Sequence, residues 1–328
     1  MSFSYFDSSS LPIGIGKIKF TQFTATGTWT KDANAQQVLC IIWNGGAGGG
    51  SGRSGATTAA GGGGGGAAGN VMIYSNPANM FGTSTTITVG SGGAGGLAAT
   101  SANGNPGSTT GTASLVGLIG PGVTTSAGAT LAGGGGTTTN SAAAPLGYIF
   151  SSVPLSANSQ TYGGQSIASM QSGFTAARGT NIVGESPANI GVVSASTFYW
   201  SSQYFPGYGA GGGGYDATTE RSGGVGSAIL YPDGSTMLAG GIAGLESTTI
   251  NGGPGNNFAF PVSGAIFGGS GGGGAGGRKA SSVGGTGGVG GIPGGGGGGG
   301  GGSVTAVASG PGGAGGRGEV WIYEFLAK

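Results

Sequence analysis

Nine consecutive glycines, Gly294–Gly302, are the feature that most constrains what this chain can fold into. Just before them the sequence reads Gly-Gly-Thr, Gly-Gly-Val and Gly-Gly-Ile, so that Thr286, Val289 and Ile292 are spaced by three residues. An extended left-handed helix of the polyproline II type has three residues per turn, and these three side chains would line one of its edges. The other two edges would be bare glycine, open to close neighbours. We expect Pro293 to continue this backbone, because its fixed φ matches the extended helix.

The glycine tracts must satisfy their backbone groups by packing sideways. A helix of this type has no internal hydrogen bonds, and orphaned N–H and C=O groups are costly when buried. Helices packed side by side can bond backbone to backbone, with weak Cα–H···O contacts adding to each pair. Ordering glycine costs extra entropy, so the tracts should order only as a bundle. Eight tracts are available for it, at 45–50, 61–66, 92–96, 133–136, 211–214, 268–277, 284–302 and 310–318.

Composition bears on whether these tracts are ordered. The 87 glycines and 13 prolines in 328 residues would be typical of low-complexity disorder. However, 36% of the residues are hydrophobic, only 6% are charged, and the formal net charge is +1. Disordered chains combine low hydrophobicity with high net charge, and this chain has neither. Flexible linkers are the alternative for the tracts, but serine is scarce inside them, so we expect a packed bundle.

Strand signals are sparse, and helix signals are almost absent because glycine interrupts every amphipathic stretch. β-branched and aromatic residues predict strands at Lys17–Trp29 and Thr83–Val89, and a continuous apolar run predicts a strand buried on both faces at Gln37–Trp43. A fourth strand is predicted at Gly318–Leu326, and we expect it to pair with the first. The shorter candidates are Asn70–Tyr74, Ala228–Tyr231, Asn257–Val262 and Val304–Ala308.

These patterns predict an all-β and irregular fold. A small antiparallel β framework from both chain ends would close a bundle of polyglycine II helices, with essentially no α-helix. The predicted regions are an N-terminal attachment arm at 1–16, the first half of a glycine-rich domain at 17–139, an aromatic-rich insertion at 140–208, and the second half with its closing C-terminal strand at 209–328.

The insertion supplies the candidate binding residues. Loops on a rigid scaffold are where binding residues usually lie, and aromatic faces with polar tips suit sugar rings and protein hot spots. The alternative is that these aromatic residues form a local core or a subunit contact. The candidate receptor-binding residues are Phe198, Tyr199, Trp200, Tyr204, Phe205 and Tyr208.

The residues that most enzymes use are missing or isolated. The chain has no histidine, which removes Ser-His-Asp and Cys-His arrangements and the commonest metal ligand. Its one cysteine, Cys40, excludes an intrachain disulfide and is expected to be buried in a strand. Asp216 and Glu220 lie close enough in sequence to suggest a glycosidase pair, but surface loop charges are the simpler interpretation. We therefore expect no catalytic activity, no cofactor and no metal site.

The charge pattern bears on partners and location. The 10 Lys and Arg residues and the 9 Asp and Glu residues are scattered singly, so no basic stripe suits nucleic acid. Arg278 and Lys279 follow a glycine tract without the Ser or Thr of a P-loop, and we expect a solvated pair. No apolar stretch or N-terminal signal predicts membrane insertion or secretion, so synthesis in a cytoplasm is expected. A surface this neutral suits an assembly, which favours a homo-oligomer.

Three segments of the chain follow a pattern known from one protein family. Residues Phe23–Thr30 read Phe-Thr-Ala-Thr-Gly-Thr-Trp-Thr and precede an apolar strand and a glycine tract. Residues Ile87–Gly96 are a strand followed by glycine, and Gly313–Glu324 are glycine followed by a strand. Together these segments resemble the glycine-rich domain of tailed-phage fibre proteins, over roughly residues 20–97 and 210–326, with the middle unmatched.

The resemblance implies a bacteriophage virion protein of the tail fibre or spike. Such a protein would act as an adhesin, binding a host receptor (a glycan or an outer-membrane protein) through loops on a polyglycine scaffold, and would contact other virion proteins. Phage fibres also make a trimer one option for the oligomer. The alternatives are a purely structural virion protein such as a fibre shaft, spike or capsid decoration, a polysaccharide depolymerase, and an ice-binding protein built from glycine helices.

Overall fold

The computed structural model contains short strands and long stretches of extended chain outside any sheet. Among the residues that it describes, regular structure consists of fourteen β-strands and one 3₁₀ helix, Ala78–Met80, without an α-helix. This confirms the prediction of an all-β and irregular fold. The described residues are 2–6, 15–55, 59–69, 71–100, 102–108, 115–116, 133–136, 207–216, 219–230, 236–246, 250–258, 268–279, 282–304 and 306–327.

The strands are numbered here in chain order. They are β1 (Ser2–Phe6), β2 (Ile15–Phe23), β3 (Gly27–Thr30), β4 (Ala35–Trp43), β5 (Ser54–Gly55), β6 (Ala59–Ala60), β7 (Val71–Pro77), β8 (Ser84–Thr88), β9 (Leu115–Val116), β10 (Tyr215–Asp216), β11 (Ile229–Leu230), β12 (Thr236–Leu238), β13 (Ser303–Val304) and β14 (Glu319–Ala327).

The main sheet joins the two ends of the chain. Its order is β1-β2-β14-β4-β7, and every neighbouring pair is antiparallel. Strand β14 lies in the centre, where Ile322 is opposite Thr21 on one side and Cys40 on the other. The predicted pairing of the two terminal strands is therefore confirmed. The segment 1–16, which we expected as an attachment arm, supplies β1 at the edge of this sheet.

The main sheet is buried on both faces, because successive side chains of a strand point to opposite sides. On one face Trp43 and Trp321 pack with ring centroids 4.6 Å apart, beside Phe20 and Ile41. The other face is covered by Trp29 and by residues near the 3₁₀ helix and in β8. The members of that second cluster are Phe23, Trp29, Val38, Cys40, Ile42, Ala78, Phe81, Ile87, Val320 and Ile322. The prediction of a strand at Gln37–Trp43 buried on both faces is confirmed.

Some predicted strands are wrong in extent. Lys17–Trp29 is not one strand, because the chain bends at 24–26 and β3 pairs with β8 in a second sheet of order β3-β8-β9. The bend brings Trp29 against Phe81, with ring centroids 5.6 Å apart. The candidate Val304–Ala308 forms a strand only at Ser303–Val304, since the chain then turns. Of Asn257–Val262, residues 257 and 258 lie in an extended segment outside any sheet, and the rest lies outside the described residues.

The glycine-rich residues form a lattice of extended segments. Their backbone hydrogen bonds run between segments, and following them from one segment to the next arranges thirteen described segments in three rows of four, five and four. One outer row holds 133–136, 61–69, 207–214 and 221–228; the middle row holds 102–108, 45–53, 294–302, 268–278 and 239–246; the other outer row holds 91–99, 309–318, 284–292 and 250–258. Several of these segments have too few consecutive glycines to be predicted as tracts.

Segment 294–302 lies at the centre of this lattice, and each of its nine N–H and nine C=O groups is paired. Its donors rotate through three neighbours, as in Gly299 N–H to the Ala210 carbonyl, Gly300 N–H to Gly50, and Gly301 N–H to Gly285. Its carbonyls accept from three further segments, which completes a shell of six. A Cβ atom placed on Gly298 would collide with the carbonyl of Gly273, so the centre of the lattice requires glycine.

Pro293 does not continue the extended segment 284–292, contrary to the prediction. The chain reverses there, with a cis Ile292–Pro293 bond and a φ of 78° at Gly294, a conformation that favours glycine. Segments 284–292 and 294–302 consequently lie side by side and antiparallel, and the N–H groups of Gly295, Gly298 and Gly301 donate to the carbonyls of Gly291, Gly288 and Gly285. The predicted edge does form: Thr286 and Val289 are exposed, and the glycines between them are buried.

Candidate functional site

The lattice has two different ends. The main sheet closes one end, and the connections at the opposite end form a surface that we call the loop end. Two small sheets order it: β13 pairs with β5 in parallel, and β10 pairs with β6 in antiparallel orientation. The described residues of the loop end include 53–55, 59–60, 102–103, 215–216, 219–221, 278–279 and 303–304.

Arg53 and Tyr215 are two side chains of the loop end with well-defined contacts. Arg53 donates a hydrogen bond through Nη1 to Oδ1 of Asn103 at 3.0 Å. Tyr215 is fully buried, and its hydroxyl donates to the Gly55 carbonyl at 3.2 Å. Burial raises the pKa of the Tyr215 phenol above its usual value of 10.0, and the positive charge of Arg53 offsets part of that effect. The buried Tyr215 side chain therefore stays uncharged and holds the backbone at Gly55 by its hydrogen bond.

Glu220 is held by the segment next to it. Its Oε2 lies 3.3 Å from Nη1 of Arg278, and its Oε1 accepts a hydrogen bond from the Lys279 backbone N–H at 3.0 Å. The side chain of Arg278 is only 20% exposed, so the expectation of a solvated Arg278–Lys279 pair is wrong for Arg278. The ion pair forms because Arg278 is the last residue of segment 268–278 and Glu220 directly precedes the neighbouring segment 221–228.

The two acids considered for glycosidase chemistry are placed differently. Asp216 is in β10, where its backbone is opposite Ala59, and its side chain lies outside the described residues. The Glu220 carboxylate is engaged by Arg278 and Lys279, which is the contact expected of a structural surface charge.

The aromatic binding candidates are described only at their last member. Phe198, Tyr199, Trp200, Tyr204 and Phe205 lie outside the described residues, as do all of residues 140–206. Tyr208 is 8% exposed and belongs to the core cluster beside the main sheet that includes Trp43 and Trp321. For Tyr208 the position agrees with the alternative of a core contact. In the sequence, Gly209 directly follows Tyr208. This glycine indicates that Tyr208 belongs to the glycine-rich segment 207–214 and not to the insertion.

Arg53 was not singled out from the sequence as a loop-end residue. The available signal was its position directly after a glycine-rich stretch, a position that Arg278 shares.

Cys40 is buried in β4, as predicted. No group of three or more His, Cys, Asp or Glu side chains is placed to bind a metal ion in the part of the chain that the structure describes. A search of the same residues finds no helix with the length and apolar character to cross a bilayer.

The chain matches no protein-family model and no curated protein.

Proposed function

We propose that the chain is a virion protein of a tailed bacteriophage, in the tail fibre or spike, which binds a host-cell receptor through loops presented by a lattice of polyglycine II helices. The observation that supports this most directly is the complete backbone pairing of Gly294–Gly302 within six neighbouring segments. A lattice held in this way is a stiff scaffold, and connections on a stiff scaffold are where binding residues are usually found.

Three features support the assignment of the segments as polyglycine II helices. Hydrogen bonds run between segments, and donors rotate through three neighbours with every three residues. Burial follows the same period, as in the alternation of exposed Thr286 and Val289 with buried glycine pairs. Side chains are excluded where neighbours meet, since a Cβ atom on Gly298 or Gly300 would collide with backbone. A repeat of three with close backbone approach is the geometry of the extended left-handed helix.

Receptor binding is favoured over catalysis by what the loop end contains. Asp216 and Glu220 are the acid pair that the sequence suggests for catalysis. The carboxylate of Glu220 is neutralised by Arg278. The insertion at 140–206 is rich in polar and aromatic residues instead, and the resemblance of the flanking segments to phage fibre domains points to attachment. The receptor would be a host glycan or an outer-membrane protein, and the location would be the virion surface.

Replacing residues 140–206 by a short flexible linker tests receptor binding. Phage carrying this variant should assemble but adsorb poorly to the host, and the purified variant should no longer bind host cells. Amide exchange in segment 294–302 should stay as slow as in the original chain, which separates loss of binding from loss of the scaffold. Thr286→Ala, which alters an exposed side chain of the lattice, is the control and should adsorb normally. Normal adsorption by the linker variant would exclude the insertion as the receptor-binding element.

A purely structural virion role is the second candidate. It is favoured by Tyr208, one of the six proposed contact residues, which packs in the core rather than at a surface. Phage lacking the whole chain distinguish the two roles. Failure to assemble, together with normal adsorption by the linker variant, would support the structural role.

A further inference from the structure

The two outer rows of the lattice are closed to different extents. In segment 309–318 side chains line the outward edge, because Pro311, Ala314 and Arg317 recur at every third residue. In the opposite row, residues 61–66 are all glycine, so no side chain projects from that stretch. One outer row therefore carries its own covering of side chains, and the other does not.

Two segments of the uncovered row border a groove. Segments 61–69 and 207–214 are neighbours, since the Gly209 N–H donates to the Gly66 carbonyl at 3.0 Å. Each of these segments has four described neighbours, whereas the central segment of the lattice has six. We call the channel between these two segments, on the side away from the middle row, the glycine groove.

Backbone donors line one side of the glycine groove, and backbone acceptors line the other. The N–H groups of Gly62 and Gly65 form no hydrogen bond with the described residues, and the same holds for the carbonyl groups of Gly209 and Gly212 across the groove. The two sides are level, because a Cβ atom on Gly62 would meet the Gly212 carbonyl. Donors and acceptors thus face the same channel, and on each side they repeat every three residues.

The rotation of hydrogen bonds along segment 61–69 shows which way its free donors point. The Gly63 and Gly66 N–H groups donate to segment 294–302, and the Gly64 N–H donates to segment 133–136. These are two of the three directions that the N–H groups of an extended helix with three residues per turn can take. The remaining direction is the open side of the segment, toward the groove.

The equivalent donors of the opposite outer row already have partners. The Thr286 N–H donates to Oδ1 of Asn251 at 2.8 Å, and the Ile292 N–H donates to Oδ1 of Asn257 at 2.9 Å. In the row of the glycine groove, the corresponding neighbour is Gly133–Gly136, which has no side chain to accept these bonds. The groove donors therefore depend on another part of the protein.

The glycine groove is covered within a single copy of the chain. Residues 61–69 and 207–214 are buried throughout, although they lie in an outer row. In the opposite row, Gly312 and Gly315 also have carbonyls without a described partner, and these residues are partly exposed. Because the burial is present in one chain by itself, the covering residues belong to this chain. Buried backbone groups without partners are costly, so the covering residues should bond them.

The course of the chain identifies the covering residues. Segment 133–136 runs parallel to 45–53, toward the loop end. Segment 207–214 begins beside the main sheet, in the core cluster that includes Tyr208. Among the gaps between described segments, 137–206 alone starts at one end of the lattice and stops at the other. This stretch must therefore run along the length of the lattice, beside the row that is left uncovered.

We propose that part of the insertion, residues 140–206, lies in the glycine groove as a further extended segment of the lattice. This segment accepts hydrogen bonds from the N–H groups of Gly62 and Gly65 and donates to the carbonyls of Gly209 and Gly212. At ~3.1 Å per residue, a pass of about 28 Å takes about nine residues, so most of the insertion stays outside the groove. The proposal rests on the described lattice and is independent of receptor binding.

Amide exchange in the full chain, measured by nuclear magnetic resonance, tests whether the groove is occupied. Relative to their rates in unstructured peptides, the Gly62 and Gly65 amides should exchange about 100-fold more slowly than the Val289 amide. Val289 is the matched control, because it is 50% exposed and its N–H has no partner among the described residues. Exchange at Gly62 and Gly65 as fast as at Val289 would overturn the proposal.

Nuclear Overhauser contacts in the same sample identify the occupant. The amide protons of Gly62 and Gly65 should show contacts with protons of residues 140–206. The Gly63 amide proton is the reference, since its N–H donates to the Gly300 carbonyl at 2.8 Å and should show contacts with that segment. Contacts of the groove amides with another stretch of the chain, or with a second copy in a mixture of differently labelled chains, would rule out the insertion as the occupant.

A linker variant removes the proposed occupant. Residues 140–206 are replaced by about 20 Ser and Glu residues, which are long enough to span the lattice and too highly charged to be buried in the groove. Exchange at Gly62 and Gly65 should then approach the rate of an unstructured chain, while Gly63, which donates to Gly300, should stay protected. Continued slow exchange at Gly62 and Gly65 would contradict the proposal.

Phage adsorption separates this proposal from receptor binding. A linker variant that loses protection in the groove but adsorbs normally would support the docking of the insertion and exclude it as the receptor-binding element. A variant that adsorbs poorly but keeps protection in the groove would do the reverse.

Discussion

The indole Nε1 of Trp29 donates a hydrogen bond of 3.3 Å to Oε2 of Glu324, across 295 positions of sequence. Glu324 is fully buried, and its Oε1 accepts a 2.6 Å hydrogen bond from the backbone N–H of Asp32. Nζ of Lys19 lies 3.4 Å from the same carboxylate. Glu324 in β14 thus contacts β2, β3 and the turn after β3. It joins the two ends of the chain at the end of the lattice that the main sheet closes.

Replacing Glu324 by leucine should lower the free energy of unfolding by about 3 kcal/mol. The change leaves two N–H donors without their acceptor and removes one of the two carboxylates near Nζ of Lys19, the other being that of Asp32 at 3.6 Å. Loss of a buried acceptor and of one side of a buried ion pair is strongly destabilising. Glu324→Gln keeps an acceptor oxygen and should cost less. Chemical denaturation monitored by tryptophan fluorescence measures both. If Glu324→Leu were as stable as the original chain, this cluster would not hold the chain ends together.

Gly298→Ala should lower the free energy of unfolding by about 3 kcal/mol or more, or prevent folding. The added methyl group would collide with the Gly273 carbonyl in the most tightly surrounded segment of the lattice. Thr286→Ala, on the exposed edge of the adjacent segment, should change stability by less than about 0.5 kcal/mol. Thermal denaturation of the two variants measures this difference in stability. If Gly298→Ala were as stable as the original chain, the close packing of the lattice would be contradicted.

Asn251→Ala should weaken the edge of the lattice by about 1 kcal/mol. The Oδ1 atom of Asn251 accepts a 2.8 Å hydrogen bond from the Thr286 N–H, across to the neighbouring segment. Asn257 does the same for Ile292 at 2.9 Å. Hydrogen exchange resolved by residue should therefore speed up at Thr286 in Asn251→Ala and at Ile292 in Asn257→Ala. Unchanged exchange at both amides would show that these side chains do not protect them.

Stability should fall with pH above about pH 10, and Tyr215 should contribute to the loss. Burial raises the pKa of the folded phenol above 10.0, so the unfolded chain releases its proton first and is favoured as pH rises. Below the unfolded pKa this contribution is fully present. In Tyr215→Phe no such proton exists, so the stability difference between the original chain and the variant should shrink from about pH 10 upward. Denaturation at a series of pH values measures this difference. A constant difference would mean that the two states share one pKa.

Much of the fold follows from local patterns in the sequence. The spacing of Thr286 and Val289 predicts an edge with a period of three, and the structure has it. β-branched and aromatic residues and apolar runs predict the strands that become β2, β4 and β14, and the pairing of β2 with β14 follows from the need to close the glycine region. These predictions succeed because side-chain spacing determines which face of a local element can be buried.

Of the six candidate binding residues, the structure describes only Tyr208. The aromatic pattern near it indicated a binding surface, which stays a prediction, while Tyr208 itself lies in the core. The contact of Arg53 with Asn103 and the pair of Arg278 with Glu220 join residues 50 and 58 positions apart. Neither contact has a sequence pattern of its own, because each depends on which segments become neighbours.

The sequence by itself determined where side chains are absent, which edges stay bare, and which runs form strands. Only the tertiary structure decided the neighbours: the bend at 24–26, the reversal at Pro293, and the rows of four, five and four segments. The physical reason is that glycine segments are nearly identical to one another as hydrogen-bonding partners. Their backbone amides require hydrogen-bond partners but do not determine which segment supplies them. The turns, the buried sheet and the packing of the whole chain therefore determine which segments become neighbours.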